Sequence, residues 1–331
     1  GAAILLTADK LFAAEEGKAE AAVSGPPVKS GVIGLGQWGR ESLMTLSKIP
    51  SVQITAVCDS YEPFVNRIKN LVPNAKTLSD YKELLDSPDV EAVVIATPTH
   101  QHKEIALQAG KHVYCESPLA SSIDDAKAIA LAGLGSKQVF QAGLQGRSNK
   151  LYTHINQFVK TGVLGNPVQI DAQWHKRQSW KRTAPTNERE KELNWRLDCE
   201  VSTGLIGEEG IHQVDLANWY MSSLPVSVMG FGSVLGWNDG RKMPDTVQCV
   251  FEYPNGIRAL MKLTHASSFA GVYSVFQGSN SSLALRENEG WLIKEADSPL
   301  LGWEVYARKE DCFGETGICM LADATEILAQ G

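Results

Sequence analysis

The segment Val28–Arg40, VKSGVIGLGQWGR, constrains the fold of this chain more than any other. Val32 and Ile33 close an apolar run that fits a buried strand. Gly34, Gly36 and Gly39 then give G-x-G-x-x-G, and a helical pattern, RESLMTLSKI, follows. Each glycine has its own mechanical reason. The first permits a tight turn, the second lets a pyrophosphate approach the backbone, and the third lets the helix pack closely on the strand. Gln37 and Trp38 open the helix, whose free N–H groups face the phosphates of a dinucleotide. Glycine-rich turns also serve purely structural ends. The strand before and the helix after make this one a nucleotide-binding expectation.

Strands and helices then alternate. Strands are expected at 31–34, 52–59, 91–97, 112–116 and 138–143, and helices at 37–49, 62–71, 99–109 (ended by Gly110) and 122–133. DYKELLDSP reads as a short helix with Ser79 as its N-cap. The order β-α-β-α implies a doubly wound parallel sheet with ligands at the C-terminal strand ends. Asp59 ends the second strand. A carboxylate there accepts hydrogen bonds from adenosine ribose hydroxyls and repels a 2′-phosphate, which favours NAD over NADP. An aspartate that merely turns the chain after a strand is the plainer alternative.

After Ser148 the texture changes to a helix at 151–161, a strand PVQIDAQWH, a polar stretch from Lys176 to Trp195 that reads as an excursion or lid, and one helix spanning GLIGEEGIHQVDLANWYM. Strand-like runs follow, with a hairpin signal at Tyr253-Pro254-Asn255-Gly256. The fold class is α/β: a Rossmann doubly wound sheet at 28–147, then an α+β domain with an open, mostly antiparallel sheet at 148–331. A chain of 331 residues suits two domains better than one core. The net charge of −7, without a basic run, speaks against a nucleic-acid surface, and no apolar run is long enough to span a membrane. Six cysteines show neither C-x-x-C nor zinc spacing. The alanine-rich apolar opening, GAAILLTADKLFAAEEG, reads as the remnant of an export signal, with a cleavage region near Phe12-Ala13-Ala14 and a linker to residue 27. That places the mature protein outside the cytoplasm, in a periplasm for instance; an ordinary N-terminal helix of a cytoplasmic protein is the alternative.

ATPTHQHKEIALQAGKHVYCESPLA, following GVIGLGQWG and AVCD, resembles the Gfo/Idh/MocA family, the glucose–fructose oxidoreductase and inositol dehydrogenase-like proteins. The likeness covers nearly all of the chain after Val28. It implies a nicotinamide cofactor, a sugar, cyclitol or glycoside substrate, and homo-oligomers formed through the open sheet. It also implies that Thr97, Pro98 and His100 form the turn beside the nicotinamide, with Glu116 and Ser117 close by. The family signature Glu-Lys-Pro is Glu116-Ser117-Pro118 here. The lysine normally polarises the substrate hydroxyl, and a neutral serine donor is weaker at a developing alkoxide. Lys176, Arg147 and Arg196 are candidates to replace the charge.

The resemblance further implies that His212 is the catalytic base, with Asp215 orienting it and Glu208 at the place of the family aspartate. On a continuous helix the i, i+4 and i, i+3 spacings put all three on one face. A histidine satisfied within the protein is the plainer account. Glu208 and His212 also have the spacing of two metal ligands, but no third ligand stands at a telling distance. Trp195, Arg196 and Asp198, with Lys176, are candidate sugar contacts: a ring to stack on C–H faces and charges to grip hydroxyls. His175 is a weaker candidate. Three activities stay open: an NAD-dependent oxidoreductase, an NAD-using glycoside hydrolase or lyase working by transient oxidation, and a cofactor-binding scaffold without catalysis.

Overall fold

The computed structural model describes residues 25–320. The export-signal and cleavage-site expectations for residues 1–17 lie outside the described residues. The chain divides into two compact units that meet at Gly143/Leu144 in the sequence, the first also taking in Glu200–Ser202.

In the first unit, strands β1 (Val28–Ile33), β2 (Val52–Cys58), β3 (Lys76–Leu78), β4 (Ala92–Ile95), β5 (His112–Glu116) and β6 (Phe140–Gly143) form one sheet in the order β3-β2-β1-β4-β5-β6. All neighbours are parallel. The order reverses between β1 and β4, and in such sheets ligands bind at that reversal. The period of two explains why both faces are covered. Val32, Val57 and Val94 pack into one core with Leu43, while Ile33, Val93, Ile95 and Cys115 pack into the other with Ile105. Helices α1 (Gln37–Leu46), α2 (Glu62–Ile68), α3 (Tyr81–Leu85), α4 (His102–Gln108) and α5 (Ile123–Gly135) connect the strands.

Three details differ from expectation. The short strand β3 carries a single buried residue, Leu78, too little for a sequence signal. The N-cap of α3 is Asp80, not Ser79: its carboxylate accepts from Lys82 N–H at 2.9 Å. The helix expected from Thr99 begins as one 3₁₀ turn, Thr99–Gln101, before α4.

The second unit carries α6 (Lys150–Lys160), β7 (Pro167–His175), α7 (Asn187–Leu193), α8 (Gly204–Glu208), α9 (Ile211–Met221) and strands β8 (Ser227–Ser233), β9 (Thr246–Glu252), β10 (Arg258–Thr264), β11 (Val272–Gly278), β12 (Ser281–Arg286), β13 (Glu289–Lys294), β14 (Lys309–Cys312) and β15 (Glu315–Cys319). Its nine-stranded sheet runs β14-β15-β13-β12-β11-β7-β10-β9-β8. Among the described residues only β7 and β10 pair in parallel. Ile170 and Ala172 of β7 share a core with Ile155 of α6 and Leu216, Ala217 and Tyr220 of α9, so the helices lie on one face. Asp171 and Gln173 point to the other face, where Lys262 pairs with Asp171 at 2.8 Å. The hairpin β14–β15 was not anticipated.

The polar excursion after β7 is pinned rather than loose. Lys176 and Gln178 donate backbone N–H bonds to the carbonyls of Thr264 and His265. Asn194 closes it on itself, accepting from Arg182 N–H and donating to Arg182 O, both at 2.7 Å. Arg241 donates to Ser179 Oγ at 2.9 Å, and Lys181 Nζ to Asp239 O at 3.1 Å, tying it to the segment before β9. That segment is organised by Asp245, whose carboxylate, 1% exposed as a residue, accepts from the N–H groups of Leu235, Gly236 and Trp237. Burial alone would raise its pKa; the hydrogen bonds outweigh burial and hold it below the usual range.

Candidate functional site

The glycine motif explains itself atom by atom. Gly34 has φ +89°, and a Cβ there would lie 2.6 Å from Ala96 O. A Cβ on Gly39 would lie 1.7 Å from Gly34 O. The protein itself therefore demands these two glycines. Gly36 is different: φ is −61° and a Cβ would meet nothing within 4 Å. No described residue accounts for it, and a ligand running over the start of α1 would. Gly36 is also the N-cap of α1 and provides no side-chain cap for the first-turn N–H groups, while Gln37 and Trp38 stand exposed beside it. Such a helix start suits phosphate.

Asp59 Oδ2 accepts from Leu35 N–H at 2.7 Å and Oδ1 from Tyr61 N–H at 2.8 Å. The carboxylate is thus clamped beside the glycine turn, with lone pairs left for ribose hydroxyls. Asp59→Asn is expected to weaken NADH binding about tenfold and to narrow its preference over NADPH; fluorescence titrations with both nucleotides check this, and an unaltered ratio would leave Asp59 a plain turn residue.

At the ends of β4 and β5, Thr97 Oγ1 is buried without a hydrogen-bond partner among the described residues, while Pro98 is half-buried and His100 exposed. Glu116 has its proton affinity raised by burial, against hydrogen bonds from Ser117 N–H, Tyr114 and Ser42. Ser117 Oγ donates to Gly143 O at 3.0 Å. The hydroxyl that stands where a lysine is usual thus spends its proton on its own backbone. The clamped Asp59, the open Gly36 and the buried Thr97 hydroxyl fit a nicotinamide dinucleotide.

In the second unit the expected three-residue face is not realised. Gly210 N–H turns back to Leu205 O, five residues earlier, and the ladder resumes with Gln213 and Val214 both on Gly210 O. A Cβ on Gly210 would lie 2.6 Å from Ile206 O and 2.9 Å from Leu263, so the close packing at this break calls for glycine. Such single wide turns often mark functional sites. Glu208 therefore ends α8 rather than preceding His212 by one helical turn. Its carboxylate, 4% exposed, accepts from Thr203 Oγ1 at 2.8 Å and faces Arg196 Nε at 3.7 Å.

Asp215 does not hold His212 either. It receives Arg147 in a bidentate grip, Nε at 2.9 Å and Nη2 at 2.8 Å. Planar guanidinium suits this geometry, and both carboxylate oxygens are engaged. His212 stacks on Trp174 with ring centroids 6.0 Å apart, and its Nδ1 is buried with no partner among the described residues. Burial lowers its pKa, while the charges of Glu209 and Asp215 pull it back up. The imidazole is accordingly neutral near pH 7, the state a base requires.

The family pattern marks Glu208 and carries no sign of its neighbour Glu209. Gln178 Nε2 donates to Glu209 Oε1 at 3.1 Å and to His265 Nε2 at 3.0 Å, and His265 is 1% exposed. The signal available was a glutamate pair before Gly210. Trp174 is half-buried beside His212, and its Nε1 is buried with no partner among the described residues, whereas His175 turns its Nδ1 to Phe269 O.

Of the three substitute cations, Arg147 is held by Asp215 and Arg196 by Glu208, and Lys176 is exposed. Trp195 is 8% exposed, with Arg196 over its ring at 4.4 Å, so that face of the indole is covered. Asp198 is half-buried and caps the 3₁₀ turn Trp195–Leu197. Among the described residues no three His, Cys, Asp or Glu side chains gather as a metal site would need, and no helix is long and apolar enough to cross a membrane.

Comparison with known proteins adds to this geometry. A family model described as GFO/IDH/MocA, oxidoreductase family, NAD-binding Rossmann fold, matches residues 28–143, and one for the GFO/IDH/MocA C-terminal domain matches residues 152–284. The chain is 28% identical over 202 residues to the inositol 2-dehydrogenase of Salmonella paratyphi B, covering 59% of this chain and 55% of that protein. It is 25% identical over 271 residues to the 2,7-anhydro-N-acetylneuraminate hydratase of Escherichia coli, covering 79% of this chain and 68% of that one. The structure of levoglucosan dehydrogenase with NADH and levoglucosan shares the fold, with a TM-score of 0.71 at 20% identity over 82% of this chain and 77% of that one.

Proposed function

The chain belongs to the Gfo/Idh/MocA family of oxidoreductases with an NAD-binding Rossmann domain, and from that premise we propose that it oxidises a secondary hydroxyl of a sugar, cyclitol or glycoside. NAD, when bound, supplies the acceptor for the hydride. Gly36, the start of α1, Asp59 and Thr97 hold it. His212 takes the hydroxyl proton; burial keeps it neutral for that purpose. Asp215, locked by Arg147, and Glu209, held by Gln178, act through their charge and favour the imidazolium that proton transfer creates. Arg196, Asp198 and Lys176 remain proposed sugar contacts, with Trp195 acting by backing Arg196. The neutral, partly orphaned His212 carries this reading. The test incubates the purified protein with NAD and a panel of sugars, cyclitols and glycosides, following NADH absorbance and ring protons by NMR. Stoichiometric NADH and ketone support it. No turnover and no ring exchange on any panel member would leave a cofactor-binding scaffold.

One observation favours a second reading. Ser117 brings no charge and donates to Gly143, so the polarising cation expected for net oxidation is not at that position. Transient oxidation acidifies the neighbouring C–H, permits elimination or addition of water, and is then reversed. The relative described as a hydratase makes redox-neutral chemistry a reasonable alternative. Solvent deuterium in the product ring without accumulated NADH would select it.

We also propose a homo-oligomer formed over the sheet face that bears Met229, Phe231 and the Asp171–Lys262 pair, since Met229 and Phe231 are 69% and 76% exposed. A monomer in sedimentation at micromolar concentration would overturn this. Export is proposed on the composition of residues 1–17 alone, and cell fractionation decides it.

A further inference from the structure

His102 opens α4 and is 1% exposed. Both of its ring nitrogens meet backbone carbonyls: Nδ1 lies 3.0 Å from Pro118 O, and Nε2 lies 2.9 Å from Thr97 O. A carbonyl oxygen only accepts. A neutral imidazole has one N–H, so it can donate to one of these oxygens and turns a lone pair on the other. Only the imidazolium donates to both. The two carbonyls belong to different turns. Thr97 follows β4 and carries the unpartnered buried hydroxyl; Pro118 follows Ser117 after β5. β4 and β5 are parallel neighbours, so the ring spans the gap between two adjacent strand ends.

We infer that His102 is the tie that sets the separation of these two turns, and that closing both of its hydrogen bonds takes up a proton, which couples cofactor binding to protonation of His102. This rests on the NAD reading above. Burial lowers the proton affinity of the ring and His100 opposes its charge, while the carbonyls of Thr97, Pro118 and Leu119 favour it. The charged groups of the surrounding elements are engaged elsewhere. Lys103 of α4 pairs with Asp125 of α5 at 2.5 Å, and Glu116 bonds to Tyr114 and Ser42. The neutral ring donates to one of these carbonyls and sets a lone pair against the other, so it secures one turn only. A ligand that holds both turns at this separation raises its proton affinity, and by reciprocity acidification tightens that ligand.

The experiment measures the Kd of NADH from about pH 5.5 to about pH 8 for the wild type and for His102→Gln, with calorimetry in two buffers of different ionisation enthalpy. The wild type should bind roughly tenfold tighter at the acidic end, with net proton uptake. Gln offers one donor nitrogen and no titration, so the variant should bind throughout as the wild type does at the alkaline end, without uptake. Asp59 and Glu116 are present in both proteins, so the difference isolates His102. Equal pH slopes in the two proteins, or no uptake by the wild type, would overturn the inference. Nitrogen-15 NMR of the wild-type ring gives a second readout. Both nitrogens should carry hydrogen in the NADH complex at a pH where the free protein shows one; one hydrogen in both states overturns it. Failure to bind NADH at any pH would instead sink the cofactor reading. In that event the tie is decided by the free protein, whose ring must gain its second hydrogen before acid unfolding.

Discussion

His212→Ala lowers kcat by about 10²–10⁴-fold and leaves NADH affinity and melting temperature near their wild-type values. The expectation follows from what the side chain contacts. His212 stacks on Trp174, and its Nδ1 has no partner among the described residues, so removing the ring breaks no hydrogen bond at that nitrogen. The wild-type pH profile adds a signature. Burial depresses the imidazole pKa, so the base stays neutral as pH falls, and the acidic limb of kcat/KM lies below 6.5. Conversely, Glu209→Gln removes a charge that favours the imidazolium and moves that limb to still lower pH. Turnover that survives His212→Ala would transfer the base to another residue.

The second large effect separates two glycines of one motif. Gly39→Ala places a methyl 1.7 Å from Gly34 O, where only backbone could yield. It should cost about 3–5 kcal/mol, lowering Tm by roughly 10 °C, and NADH binding should fail with the fold. Gly36→Val leaves Tm within a degree or two, because a Cβ there meets no protein atom within 4 Å. It should nonetheless remove measurable NADH affinity, since its side chain occupies the path of the pyrophosphate. Scanning calorimetry and fluorescence titration of the two variants check this. Equal melting losses would mean that Gly36 is structural, and NADH binding by the Gly36 variant would move the cofactor elsewhere.

The parts that sequence disclosed are those governed by short-range rules. The glycine turn, the apolar runs buried on both faces and the Tyr253–Gly256 hairpin follow from backbone freedom and a period of two, and Gly256 indeed adopts φ +81°. The site was less legible because spacing presumes a continuous element. Glu208, His212 and Asp215 share a face only on an unbroken helix, and the break at Gly210 removes that premise. The partners of Asp215 and Glu208 are arginines 68 and 12 positions away, and the grip of Glu209 comes from Gln178, 31 positions back. Such pairs depend on how strands and helices are laid together, which no local pattern encodes. Ser117 is the converse. The sequence marked it as unusual, and only the structure shows its hydroxyl donating to Gly143.

The knot around Asp245 has a consequence for how such a protein can diversify. A single carboxylate fixes three successive backbone N–H groups, from Leu235 to Trp237. The segment so ordered then supplies Asp239 and Arg241, which grip Lys181 and Ser179 of the excursion far upstream. The two stretches therefore depend on each other as a pair. A graft that carries the excursion alone strands Arg241 without Ser179 and Asp239 without Lys181, whereas both together form a cassette whose anchor is one side chain. Recombination or design that respects this pairing can exchange the polar stretch while the nine-stranded sheet beneath it stays unchanged.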